Sequence, residues 1–173
     1  MNRKLIVPFL LISILHLNCK KDSNAKIDVS AITETDNVGN TLSQIDNTDW
    51  IIDNMWTTDE LALFQTPGSS QLTNMEKAIV SIEPSFPNPS AGGFYFAANI
   101  SKSTLVQIVI TDNMLSVKDR FFATNKNINF YLLKLNLDAS KYPNNTNYRM
   151  YYGFYSMADG LYYKGHGDLK INR

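Results

Sequence analysis

Thr104-Leu105-Val106-Gln107-Ile108-Val109-Ile110-Thr111 is the stretch on which the fold turns. Its residues are mostly β-branched or aliphatic, and in an extended chain successive side chains point to opposite faces. Leu105, Gln107, Val109 and Thr111 therefore share one side, while Val106, Ile108 and Ile110 share the other, which faces a core. The same alternation continues C-terminally. Leu133, Leu135 and Leu137 fall on one face, and Tyr148, Met150, Tyr152 and Phe154 fill one interior layer between two sheets about 10 Å apart.

Working outward, strand-like runs occur at 78–82, 93–98, 104–111, 121–123, 129–137, 148–155 and 161–171. Turn residues separate them: Pro87-Asn88-Pro89, Asp112-Asn113, the Asn-rich 125–127, Pro143-Asn144-Asn145 and Asp159-Gly160. Asp159-Gly160, between two aromatic runs, signals a hairpin. Strands of this length and spacing predict an all-β protein, an immunoglobulin-like antiparallel β-sandwich of about seven strands. Nine Tyr, nine Phe and only 18% charged residues agree with that class.

Ahead of the sandwich lies a cluster holding both tryptophans: Trp50, Ile51, Ile52, Met55, Trp56, Leu61, Leu63 and Phe64. Thr57 and Glu60 stand at capping-box spacing and Pro67-Gly68 follows, so a short helix is expected over about 58–65. Such a cluster is too small to fold alone and is expected to pack on the sheets. Residues 48–76 are thus a Trp-rich helical lead-in to a sandwich at 77–173, forming one domain over 48–173. Residues 19–47 are polar with scattered apolars and read as a flexible tether.

At the N-terminus, Arg3 and Lys4 precede an apolar run over 5–17, too short to span a bilayer as a helix, and the run ends near Cys19, the only cysteine. This order resembles the signal of bacterial lipoproteins, in the looser form followed by Cys-Lys-Lys-Asp that is similar to those of Bacteroidetes. The resemblance implies a signal peptide at 1–18, lipidation of Cys19, and a cell-envelope protein lipid-anchored at the outer membrane, facing the periplasm or the surface. A lone cysteine in an exported chain has no intramolecular disulfide partner, which fits modification at that position. Basic and acidic residues balance at 16 each, so there is no basic field for nucleic acid.

Ser85-Phe86-Pro87-Asn88-Pro89-Ser90-Ala91-Gly92-Gly93, followed by a strand and then Val109-Ile110-Thr111-Asp112-Asn113-Met114-Leu115, resembles the start of C-terminal sorting domains of the Bacteroidetes type IX secretion system. The likeness covers about 80–173. It implies an immunoglobulin-like sandwich. It departs in lacking a glycine near Leu115 and in replacing a Gly-x-Tyr step by 141–148, so the fold is carried over and the sorting role is not.

Chemistry-bearing residues are sparse. With one histidine left beyond the signal, His166, and one acylated cysteine, no His/Cys metal cluster can be assembled and no cofactor is expected. His166 and Asp168 would share a strand face, the pattern of a base with an orienting carboxylate; the alternative is a polar residue on the last strand or at a bulge made by Gly165 and Gly167. Asp46, Asp49 and Asp53 match no calcium loop and read as solvated surface groups. The best interaction surface is aromatic: Tyr151 and Tyr155 pointing outward beside Arg149, with Tyr162 or Tyr163 on the neighbouring strand, suited to stacking on sugars or peptides. The expected function is a non-catalytic binding sandwich with a glycan or envelope-protein ligand. The alternatives are a structural or assembly subunit of an envelope complex, engaged through the tryptophan segment or an open sheet edge, and a hydrolase built on His166. Burial of the aromatic strip under 50–64 would favour the structural role.

Overall fold

A computed structural model describes residues 26–64, 80–101, 104–125, 129–156 and 160–173. The signal segment, Cys19, Pro67-Gly68 and Asp159 lie outside the described residues.

Two antiparallel sheets carry the fold. Eight strands are described: β1 (Ile51–Ile52), β2 (Val80–Phe86), β3 (Gly93–Ile100), β4 (Thr104–Thr111), β5 (Val117–Asn125), β6 (Asn129–Asn136), β7 (Thr146–Ser156) and β8 (Gly160–Ile171). The larger sheet has the order β1-β8-β7-β4-β5 and the smaller one β2-β3-β6. Seven strands answer to the seven expected runs, and β7 and β8 pair as neighbours from Ser156↔Gly160 onward. The eighth, β1, is a two-residue addition.

Alternation decides what lies between the sheets. Val106, Ile108 and Ile110 of β4, Met150, Tyr152 and Phe154 of β7, and Leu169 and Ile171 of β8 meet Phe94 and Phe96 of β3 and Leu135 of β6 in one buried cluster. Phe96 touches both Tyr152 and Phe154, ring centroids 5.3 and 6.3 Å away. Each such side chain, fully buried, stabilises by roughly 1.5–3 kcal/mol, so this layer is the main source of folding energy.

The tryptophan segment packs on the sandwich as a cover. Ile51 and Ile52 pair with His166 and Gly165 of β8. Trp50 bends into the left-handed region (φ 59), its N–H donating to the His166 carbonyl at 2.7 Å, and its ring enters the main core. Gly165 and Gly167 make this approach possible. A Cβ on Gly167 would lie 2.3 Å from the Trp50 ring, and one on Gly165 would lie 2.1 Å from the Ile51 carbonyl. These glycines clear the core-side face of β8 for the Trp50 ring and make no bulge, since the β7/β8 register runs unbroken past them.

The helix that follows, α1 (Thr58–Leu61), is one turn, shorter than the expected 58–65. Its capping box forms as read: Thr57 Oγ1 accepts from Glu60 N–H at 3.2 Å and Glu60 Oε2 accepts from Thr57 N–H at 2.7 Å. Trp56 and Phe64 stack at 4.9 Å and, with Leu63, form a second apolar cluster on Val109 and Tyr151.

The expectation of a flexible tether over 19–47 needs correction from Lys26 onward. Asn113 O accepts from Lys26 N–H at 2.9 Å, Asn147 Nδ2 donates to Val29 O at 2.7 Å, and Thr35 exchanges both backbone bonds with Asn88. The Asn88 side chain, fully buried, donates to Thr33 O and Asp168 O and accepts from Lys170 N–H. Backbone and side-chain-to-backbone hydrogen bonds together therefore hold a segment that has too little apolar surface to hold itself. No helix among the described residues is long and apolar enough to cross a membrane.

Candidate functional site

The outward face of β4, β7 and β8 presents polar residues in cross-strand rows. Asp168, Arg149 and Thr111 form one row, and His166, Tyr151 and Val109 form the next. Residues 26–64 lie over this face, which makes it a buried polar layer.

Arg149 and Asp168 stand directly opposite each other and pair through two hydrogen bonds, Nε to Oδ1 at 2.7 Å and Nη2 to Oδ2 at 2.8 Å. Their side chains are 12% and 2% exposed. Arg149 Nη2 also donates to Asp28 O at 2.6 Å, tying the N-terminal segment to the sheet. Burial opposes the Arg149 charge, but hydrogen bonding and attraction from Asp168 outweigh it and hold the guanidinium above its ordinary value. Burial raises the Asp168 carboxyl, with Arg149 partly offsetting it.

His166 sits between two carboxylates of the cover. Its Nδ1 is 2.6 Å from Asp53 Oδ2, which also accepts from Trp56 Nε1–H at 2.6 Å, and its Nε2 is 3.8 Å from Asp49 Oδ1. Asp49 is fully buried at its side chain, accepts from Asp168 N–H through Oδ2, and leaves Oδ1 without a hydrogen-bond partner. Its carboxyl is pushed up to about 7 by burial and then by the neighbouring Asp168 charge, while the Asp168 N–H and His166 pull the other way. The reading of Asp49 as a solvated surface group is therefore corrected. The β1 pairing carries it inward.

The expected His166–Asp168 partnership is likewise replaced. Asp168 is occupied by Arg149, and Asp53, more than a hundred residues away in sequence, orients the ring. A carboxylate on Nδ1 is the arrangement of an oriented base, but the free nitrogen faces Asp49 inside the layer. An open cleft of about 480 Å³ lies elsewhere, lined by Lys26, Ile27, Thr57, Glu60 and Leu115 among others. Among the described residues no three His, Cys, Asp or Glu side chains converge as metal ligands.

The exposed aromatic strip is not formed. Tyr151 does point to the outer face, yet it has no exposed surface: Trp56 meets it edge-on at 5.4 Å and its hydroxyl donates to Glu60 Oε1 at 2.9 Å. Burial and the Glu60 charge raise its hydroxyl well above the ordinary range. Tyr163 lies in the inner core, stacked 6.4 Å from Tyr152, and burial pushes its hydroxyl up to about 12. Arg149 is sealed by Asp28 and Asp168. Tyr155 is half-buried. Lys164 completes the cover from below, its ammonium 4.8 Å from the Trp56 ring centre.

Compared with known protein families, curated proteins and solved structures, the chain matches none.

Proposed function

We propose that this chain is an exported envelope lipoprotein, acylated at Cys19, whose single non-catalytic sandwich acts as a structural or assembly subunit. The observation that carries the choice of role is the sealing of Tyr151 beneath Trp56 and Glu60. A face built to stack on sugars or peptides keeps its rings open, whereas this one is spent on holding residues 26–64 to the sheet. The immunoglobulin-like reading of the fold is supported by strand order. Lettered A, B, C, C′, E, F and G in chain order, β2 to β8 give sheets A-B-E and G-F-C-C′, with the Pro-Asn-Pro stretch leading into strand B.

Two measurements test this. Cys19→Ser should move the protein from the membrane fraction to the soluble one, and continued sedimentation with lipid would overturn the anchor. Crosslinking of intact cells should recover protein partners on the sandwich; recovery of glycan alone, with no protein adduct, would return the role to ligand binding.

A further inference from the structure

Of the sheet edges described, β6 is the one left unguarded. Edges carry unpaired N–H and C=O groups, and folded proteins blunt them with short length, proline, bulges, charge or cover. β1 has two residues. β2 contains Pro84 and a register shift between Glu83 and Phe86. β5 carries Lys118, Asp119 and Arg120 in a row, and the loop before β7 is tied to it through Lys141 and Tyr142 on Asp119. β6 has no proline, an unbroken eight-residue register with β3 and a single charge, Lys134, while Phe130 is 58% and Leu132 48% exposed.

We propose that β6 pairs antiparallel with β6 of a second copy of this chain, joining two three-stranded sheets into one across a two-fold axis. This rests on the assembly reading above and names its partner. Leu137 N–H donates to Gly92 O at 2.7 Å, so by alternation the odd-numbered residues of β6 turn their backbone groups to β3. Phe130, Leu132 and Lys134 turn theirs to the open edge. Only registers that set even residues against even ones complete the ladder. Centred on Leu132, such a register places Leu132 against its own copy and Phe130 against Lys134 at both ends, with Tyr131 against Leu133 on the inner face. It forms about six backbone hydrogen bonds. Opposed side chains are then about 5 Å apart, close enough for each ammonium to lie on the facing ring. Centring on Lys134 opposes like charges, and the remaining registers set Lys134 against Leu132 or beyond the strand end. The edge is therefore self-complementary in one register, as a two-fold contact requires.

The test is photo-crosslinking in cells producing the full chain, with a crosslinking side chain in place of Leu132 and, as a control, of Phe122 on β5. The expected result is an adduct of twice the chain mass from position 132 and not from 122. Phe130→Lys should reduce that adduct at least tenfold by opposing two lysines. The exchanged double variant, Phe130→Lys with Lys134→Phe, should restore it, because the pair is only swapped between strands. A doubled adduct indifferent to Phe130→Lys, or one not restored by the exchange, overturns the proposed register and pairing. An adduct of another mass at 132 overturns the second copy as partner while keeping the assembly role. No adduct from 132, 122 or any other surface position overturns both.

Discussion

The outer faces of the two sheets make opposite use of the same strand pattern. On the five-stranded sheet the outward residues of β7 and β8 include Arg149, Tyr151, His166 and Asp168, largely withdrawn from water beneath residues 26–64, while Phe122 on the marginal strand β5 stays exposed. On the three-stranded sheet they include Phe130 and Leu132, which are apolar and in water. A charged cluster is covered on one face and two apolar side chains are bare on the other, the reverse of what each would show if both faces simply met solvent. Burial on the first face is made affordable by pairing: Arg149 with Asp168, His166 with Asp53, Tyr151 with Glu60. Exposure on the second fits the β6 pairing proposed above.

The sharpest way to break this contrast is to unpair the covered face. Arg149→Met keeps much of the side-chain volume but leaves Asp168 buried beside Asp49 and removes the bond to Asp28 O. Removing one partner of a buried pair costs about 3–5 kcal/mol. Chemical denaturation at pH 7.5 should read a loss of that size, with early protease cleavage within 26–64. A loss below about 1 kcal/mol would mean that the pair sits in effectively aqueous surroundings.

How far this face could be read from sequence follows from where its partners come from. The strands were legible because alternation and turn residues are local: 104–111 and β4 coincide, and the expected core faces of β4, β6 and β7 are the faces found buried. Alternation also assigned Tyr151 to the outer face. It carries no information on whether that face is covered, which depends on contacts such as Tyr151 to Glu60, 91 residues apart. Asp53 to His166 spans 113 residues and Arg149 to Asp28 spans 121. The docking of 26–47 had no periodic signal either, because Asn88, Asn147 and Arg149 hold backbone atoms, and any side chain offers those. One trace was present. Gly165-His166-Gly167 strips one face of β8 of side chains, and the ring that fills the space is Trp50.

A smaller effect separates the faces by pH. The Asp49 carboxyl ionises near 7 when folded against 3.8 as a free side chain, so the folded state holds the proton between those values and the unfolded state does not. Stability from this group is therefore full below about pH 4, declines as pH rises to about 7, and stays low above it; burial of Asp168 acts in the same direction. Asp49→Asn keeps the acceptor for Asp168 N–H and removes the charge. It should stabilise the protein by about 1–2 kcal/mol at pH 8, with little change at pH 4, and flatten the decline between. Equal effects at both pH values would place the benefit in packing instead of charge.

The smallest effect belongs to the bare face. Leu132→Ser on β6 leaves the inner core and the β3 ladder untouched, because its side chain points away from both and is half exposed. Under dilute monomeric conditions its stability should change by less than about 0.5 kcal/mol, the ordinary range for surface positions. A loss of 2 kcal/mol or more by chemical denaturation at the lowest workable concentration would show that Leu132 packs within its own chain. The asymmetry between the sheets would then lie in how each face is covered, and no longer in whether it is.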